Sequence, residues 1–338
     1  MHAAAAMRKP VVLLSERPWD WRWGSGEDTC PWYPTMQILR QDQRGSWAGV
    51  VQTAIAIVKA TPHKRTPALR IPVEPDPLTT KPCRYGNMCF YTTDHYVGRS
   101  LELYGEFSEL EADLYRHLLA PGDTVIEAGA NIGSLTSALA GMVGPHGRVH
   151  AFEPQRDLFE LLKRNAAHLR QVTTWPHALA YVTGTVEYHP QNRSKVCNPG
   201  GCQVAARSGD ADCESVDAVR ADDVLPSGPV HLIKADVEGA ELEVLKGAAS
   251  IIARCRPVLY VEDDRIEHRR ALHDWVSARG YKLYRHTPPL FNPDNWAKNP
   301  VNVFGEVVSI NLLCMPEEKQ DLVPALKNVR PVGSRRFA

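Results

Sequence analysis

From residue 122 onward the chain alternates two patterns. Short runs of consecutive apolar residues, each closed by a charged or glycine-rich exit, are followed by stretches whose apolar residues recur every three or four positions. The first pattern predicts a strand buried on both faces, the second a helix with one apolar stripe, and their alternation a parallel sheet with helical crossovers. Val125 and Ile126 form the first strand, and Leu135, Ala138, Leu139 and Met142 give the next helix its stripe. RVHAFEP is a second strand, followed by a helix burying Leu158, Leu161, Leu162 and Leu169. HALAYVTGTVEYHP reads as a third strand edge and a hairpin turning at Thr183 and Gly184. VHLIKADVE and PVLYVEDD are further buried strands, each followed by a helix, and YKLYRHT and VVSINLLCM close the sheet with the terminal strand antiparallel. Before the first strand, Ser108 and Glu111 have capping-box spacing, with Leu110, Leu114 and Leu118 as the buried stripe.

The flanks read differently. Residues 61–89 carry Pro62, Pro67, Pro72, Pro75, Pro77 and Pro82, which cannot sustain a helix or a central strand, so they are expected to be a linker. Residues 1–60 are a tryptophan-rich extension that should fold against something, with a helix through Val50, Ala54, Ile57 and Val58. The domain proper is expected over 90–316 and a tail over 317–338. Residues 191–215 lack periodicity and read as a mobile loop placed to act as a lid or acceptor loop.

Chemistry gathers at the strand exits. Glu127 ends the first strand, and the turn Gly129-Ala130-Asn131-Ile132-Gly133 opens a helix whose free amides suit an anionic or polar cofactor group. Glu153 ends the second strand, where a carboxylate can accept both hydroxyls of a ribose. Ala178 and Leu179 are placed to flank an adenine. The third glycine of a dinucleotide turn and the Gly-Lys-Ser/Thr of a phosphate loop are both missing. Lys234, Asp236 and Glu238 share one strand end, too many charges for a plain core.

The segments EAGANIG, GRVHAFEP and LIKADVEGAELEVLKGA, in this order and spacing, resemble the FkbM family of S-adenosylmethionine-dependent methyltransferases. The resemblance extends over roughly residues 90–316, through VGRSLELYGEFSELEADLYRHLLAPGD upstream and VVSINLLCMP downstream, and departs from the family at Glu127, where Asp is commoner. It implies a Rossmann-like class I α/β fold, seven mostly parallel strands with the last antiparallel and helices on both faces. It also implies O-methylation of a hydroxyl on a small molecule or glycan, with S-adenosyl-L-methionine as donor. Glu127 and the glycine turn would hold the methionine end, Glu153 the ribose, and Glu106, in a turn with Tyr104 and Gly105, would lie across the cofactor. Asp236 would orient or deprotonate the acceptor hydroxyl, with Lys234 and Glu238 setting its charge and Glu262 a neighbour on the adjacent strand. Residues 1–60 resemble the C-terminal end of bacterial tetratricopeptide-repeat glycosyltransferases without their donor-binding domain, which points to a sugar acceptor; they read as a packing extension, or as an oligomerisation or acceptor-positioning element.

Composition narrows the classes. Lys plus Arg and Asp plus Glu number 39 each, so no basic field invites nucleic acid. No stretch approaches membrane-spanning length, and PVVLL is too short for a signal-peptide core. Met1 and Met7 are equivalent starts. The eight cysteines are scattered without a secretory signal, as expected of reduced thiols in a cytoplasm, and Cys83, Cys89, Cys197 and Cys202 lack zinc-site spacing. No histidine has metal or triad spacing, and no G-x-S-x-G elbow is present. Asp236, Asp263 and Asp264, at the ends of adjacent strands, would suit a magnesium ion binding a vicinal diol. The rival readings are a methyltransferase-like scaffold without catalysis and a nicotinamide oxidoreductase.

Overall fold

The computed structural model describes residues 11–15, 29–30, 33–40, 47–60, 77–206, 212–225 and 227–332. The chain forms two units, Met1–Val73 with Val303–Glu306, and Glu74–Asn302 with Val307–Ala338. In the first unit, β1 (Val11–Ser15) lies parallel and β2 (Thr29–Cys30) antiparallel to β3 (Tyr33–Arg40), and α1 (Ala48–Ala60) follows where the Val50 stripe predicts a helix. Trp19, Trp21 and Trp23 of the predicted extension lie outside the described residues.

The second unit opens with a hairpin, β4 (Leu78–Cys83) and β5 (Gly86–Tyr91), where a linker was expected. Pro82 is tolerated because this sheet has only two strands, so each keeps a free edge. Cys83, Met88, Cys89 and Phe90 bury against helices α2 (Val97–Tyr104) and α5 (Arg156–Ala166). The linker therefore reaches no further than residue 76, and residues 61–76 lie outside the described residues.

The central sheet has eight strands. Five are parallel: β6 (Thr124–Ala128), β7 (Arg148–Phe152), β8 (Val172–Trp175), β13 (Leu232–Ala235) and β14 (Val258–Glu262). Their order is β8-β7-β6-β13-β14, continued by β16 (Asn311–Pro316), β15 (Tyr281–His286) and β17 (Val329–Pro331). β16 runs antiparallel to both β14 and β15. Six of the seven predicted strands lie in this sheet, which also gains β8 and, from the expected tail, β17 at the edge. Side chains alternate across the sheet. Ile126, Ala128, Ile233, Leu259 and Val261 pack on the face covered by α6 (Glu241–Gly247), α7 (Ala249–Cys255) and α8 (Ile266–Ser277). Val125, Leu232, Val258 and Tyr260 pack on the other, under α3 (Glu109–Leu118) and α4 (Ser134–Val143).

Three local expectations are corrected. The third parallel strand is β8, ahead of the stretch expected; β9 (Ala178–Leu179) and β10 (Gly184–Tyr188) belong to a separate four-stranded sheet, order β11-β10-β12-β9, with β11 (Val204–Ala206) and β12 (Glu214–Val219). β9 and β10 do not pair, since β12 lies between them. The predicted loop 191–215 therefore contains β11 and the start of β12, and residues 207–211 lie outside the described residues. The Ser108 side chain makes no capping hydrogen bond; Leu110 is only half-buried, and Glu111, Ala112 and Tyr115 turn inward.

Candidate active site

Where the crossover direction reverses, between β7-β6 on one side and β13 on the other, the carboxyl ends of the strands leave a crevice. A cleft of about 990 Å³ opens there. Its floor is the turn after β6. Gly129 has φ +76°, and a Cβ added to it would stand 1.9 Å from the carbonyl oxygen of Asp236, so the two strand exits touch backbone to backbone. The Gly129 and Ala130 amides donate to the Phe152 carbonyl at 3.0 and 2.9 Å, and the Asp236 amide donates to the Ala128 carbonyl at 3.1 Å. Asn165, 3% exposed, locks this turn to the hairpin, donating to the carbonyls of Ile132 and Cys89 and accepting from the Cys89 amide. The amphipathic helix α5 thus carries one polar residue on its buried side, and that residue holds the turn in place.

Beside the turn lies a buried charge cluster. In register, Lys234 is opposite Glu127 on β6 and Tyr260 on β14, so all three share one face of the sheet. Lys234 is 2% exposed, and its Nζ lies 3.3 Å from Asp236 Oδ2. Burial alone would lower its pKa, but the carboxylates of Asp236, Glu127 and Glu111 outweigh burial and raise it, holding the ammonium charged. Glu127 Oε2 accepts from Thr136 Oγ1 at 2.6 Å, while its Oε1 is buried without a hydrogen-bond partner among the described residues. Desolvation pushes the Glu127 carboxyl up to about 7 against the pull of Lys234. Glu111 reaches the same face from α3, lines the cleft with Ser309 and Asn311, and accepts from the Tyr115 hydroxyl at 3.4 Å. Beneath it, the Tyr260 hydroxyl and His286 Nδ1 are 2.7 Å apart, and burial lowers that imidazole to about 4.

On the far side of the turn, Glu153 is 3% exposed; its two oxygens accept the amides of Asn131 at 2.8 Å and Gln155 at 2.9 Å. Each oxygen keeps a second lone pair. Burial lifts this carboxyl to about 7 despite those two bonds. Beyond Asp236, Glu238 at φ +58° is held by Arg265, and burial raises Glu238 to about 7 as well. Glu127, Glu153 and Glu238 thus have folded-state values above the ordinary 4.5 of a glutamate. A raised carboxyl contributes stability below its unfolded pKa and loses it as pH rises through the folded value. The thermal midpoint of the free protein should therefore fall as pH rises from about 5 to about 8. A midpoint that stays flat or rises across that window would contradict this electrostatic account.

Most of the predicted residues converge here. Glu127, Gly129, Ala130, Asn131, Glu153, Ala178, Leu179, Lys234, Asp236, Glu238 and Glu262 all line the cleft, and Gly133 starts α4 just behind it. Glu106 does not. Its carboxylate accepts from Arg84 Nε at 2.8 Å, Asn292 Nδ2 at 2.8 Å and the Trp296 amide at 2.7 Å, so it ties loops together away from the cleft. The aspartate trio does not form a metal site either. Asp263 points away from Asp264, as alternate residues at a strand exit do, and is held by Arg269 and His273, each at 3.1 Å. Arg265 Nε lies 3.2 Å from Asp264. Among the described residues no group of three His, Cys, Asp or Glu side chains could hold a metal ion. Sequence reasoning missed Glu111, Phe152, His177 and Ser309–Asn311, which also line the cleft. The inward turn of Glu111 contradicts its apparent capping role, and only an i, i+4 relation to the aromatic Tyr115 hinted at it.

Among the described residues no helix is long and apolar enough to cross a membrane. Among the described residues Cys83, Cys89, Cys197, Cys202, Cys213, Cys255 and Cys314 form no disulfide. Residues 127–283 match the family described as the methyltransferase FkbM domain. A hexuronic acid methyltransferase, AglP, of Haloferax volcanii is 29% identical over 149 residues, 42% of this chain and 58% of that protein. The chain thus spans little more than half the length of that relative. Among solved structures, a methyltransferase FkbM from Methylobacillus flagellatus KT aligns over 60% of this chain and 50% of its own, with TM-score 0.38 and 20% identity. A protein from Streptococcus mutans described as a putative methyltransferase in complex with SAH aligns over 61% of this chain and 97% of its own, with TM-score 0.36 and 12% identity. The matched stretch begins at the buried carboxylate of β6 and takes in β7, β13 and β14 with their exits, so the similarity to the methyltransferase FkbM domain falls on the strand ends that line this cleft.

Proposed function

We propose that this cleft binds S-adenosyl-L-methionine and serves O-methylation of a sugar hydroxyl. The observation that carries the reading is Glu127 Oε1, a buried carboxylate oxygen without a partner, beside a turn whose backbone approach leaves no room for a side chain. A ligand ammonium would satisfy that oxygen. The free amides at the start of α4 would take a carboxylate, and the remaining lone pairs of Glu153 would take two vicinal hydroxyls. Ala178 and Leu179 offer an apolar edge, so the residues present fit this cofactor from end to end.

When bound, the cofactor supplies a methyl group already activated on a sulfonium centre. The chain's own work is alignment and proton handling. Asp236, with its side chain 45% exposed in the cleft and Lys234 behind it, would accept a hydrogen bond from the acceptor hydroxyl and take its proton. Lys234 Nζ, 3.3 Å from Asp236 Oδ2, orients that carboxylate. The sugar acceptor is supported by the hexuronic acid methyltransferase relative alone.

Calorimetry tests the reading: S-adenosylmethionine and its demethylated product should bind, and NADH should not. Glu153→Ala removes a charged acceptor and should weaken cofactor binding by about 1.5–3 kcal/mol, roughly ten- to hundredfold. Unchanged affinity would mean that Glu153 only braces the turn through Asn131 and Gln155.

A further inference from the structure

A strap of chain crosses the cleft. Strands β10 and β11 pair at Tyr188 and Val204, so residues 189–203 leave and rejoin the small sheet at neighbouring points, as an Ω-loop does. The return arm of this loop meets the cleft, which Asn198, Gly200, Gly201 and Cys202 help to line. Its two glycines allow a close approach. A Cβ added to Gly200 would stand 3.2 Å from Asn131 Nδ2, and one added to Gly201 would stand 3.7 Å from Glu238 Oε1. The arm therefore spans the crevice from the turn after β6 to the exit of β13. Gln155, 4% exposed, fastens it. Its side-chain Nε2 donates to the Pro199 carbonyl at 2.9 Å and its Oε1 accepts from Arg193 Nη2 at 3.0 Å, while its backbone amide donates to Glu153 Oε1 at 2.9 Å. Arg193 is anchored in turn by Asp157. One residue thus holds both the strap and the carboxylate placed to receive the cofactor ribose.

Resting on the proposed function, which puts the cofactor beside Glu153, we propose that residues 198–202 close over the bound cofactor and must lift for it to enter or leave, with Gln155 as the positioning residue that latches them. The arm can swing without unpairing β10 from β11, because both ends of the loop are anchored in that pair. Within the loop, Gln191 donates to the Asn198 carbonyl at 2.7 Å and accepts from the Asn198 amide at 3.0 Å, so the turn moves as a unit. The outer bend is tied separately, by backbone bonds of Cys197 with Thr93 and His95, and serves as the hinge. Lifting breaks the bond from Gln155 to Pro199 and leaves its backbone bond to Glu153 in place. Arg193, by occupying Gln155 Oε1, keeps Nε2 turned toward the strap. A gate of this kind slows entry and exit alike, whereas a contact that only adds affinity acts on dissociation.

The test uses the full chain and the demethylated cofactor. Association is followed by stopped-flow tryptophan fluorescence, since Trp175 is stacked on the cleft-lining Phe152. Dissociation is followed by chasing labelled cofactor product with excess unlabelled product. In Gln155→Ala the Glu153 carboxylate keeps its backbone donor, and both rate constants should rise by about tenfold while Kd stays within a factor of about three. Arg193→Gln, which releases the Gln155 amide from the other side, should raise both rates as well. A dissociation rate that rises while association stays unchanged overturns the proposal, because Gln155 would then be a binding contact alone. Unchanged rates in the folded variants overturn it too. If Gln155→Ala does not fold, Arg193→Gln decides by the same two criteria. Failure of the parent to bind the cofactor product would instead remove the proposed function itself.

Discussion

Asp236→Asn should lower methyl transfer by about 10²- to 10⁴-fold while leaving cofactor affinity within a factor of about two. The side chain is 45% exposed, so the substitution disturbs little packing. Asn keeps the shape and one acceptor oxygen for Lys234 but cannot take a proton. If Asp236 acts as the acceptor's base, the loss should fall on kcat at saturating sugar, and raising the pH should not restore it. A loss confined to KM would mean that Asp236 orients the hydroxyl and a different group takes its proton. Undiminished turnover would leave it a structural partner of Lys234.

Lys234→Met should destabilise the fold by about 3–5 kcal/mol, because it leaves Glu127, Glu111 and Asp236 facing one another in a buried site without their cation. Met preserves the length and the apolar stem, so the cost is electrostatic rather than a cavity. The sign with pH follows. Without the ammonium the Glu127 and Glu111 carboxyls, already raised by burial, rise further above their unfolded values, and the variant gains stability on protonation. Its deficit relative to the parent, read from urea midpoints, should shrink as pH falls from about 8 to about 5. A deficit that is constant with pH would place the cost in packing. No deficit at all would mean that the carboxylates are protonated in the parent.

The order of β6, β7, β13, β14, β15 and β16 with their helices was legible in the sequence because each of these strands carries an apolar run and each crossover helix a stripe of the other period. So was the gathering of Glu127, Glu153, Asp236 and Glu262, because parallel strands deliver all their carboxyl ends to one edge. Local pattern alone also determined the Gly129 turn, whose conformation only glycine adopts cheaply.

What only the tertiary structure decided involves residues whose roles depend on partners far along the chain. Glu111 and Glu106 are both acids near helix termini, alike in sequence. One turns inward toward Lys234, and the other is consumed by Arg84, Asn292 and the Trp296 amide, contacts spanning up to 190 residues. Asp263 and Asp264 are adjacent and identical in type. The end of a strand decides which faces the cleft, and Arg269 with His273 on the following helix settles the other. Pro82 shows the same limit from the other side, since whether a proline is tolerated depends on the strand being an edge, and edges are a property of the assembled sheet. Periodicity specifies which faces of an element are apolar, but the partner of a buried charge is chosen by the packing of distant elements, and the chemistry of this cleft lies in those partners.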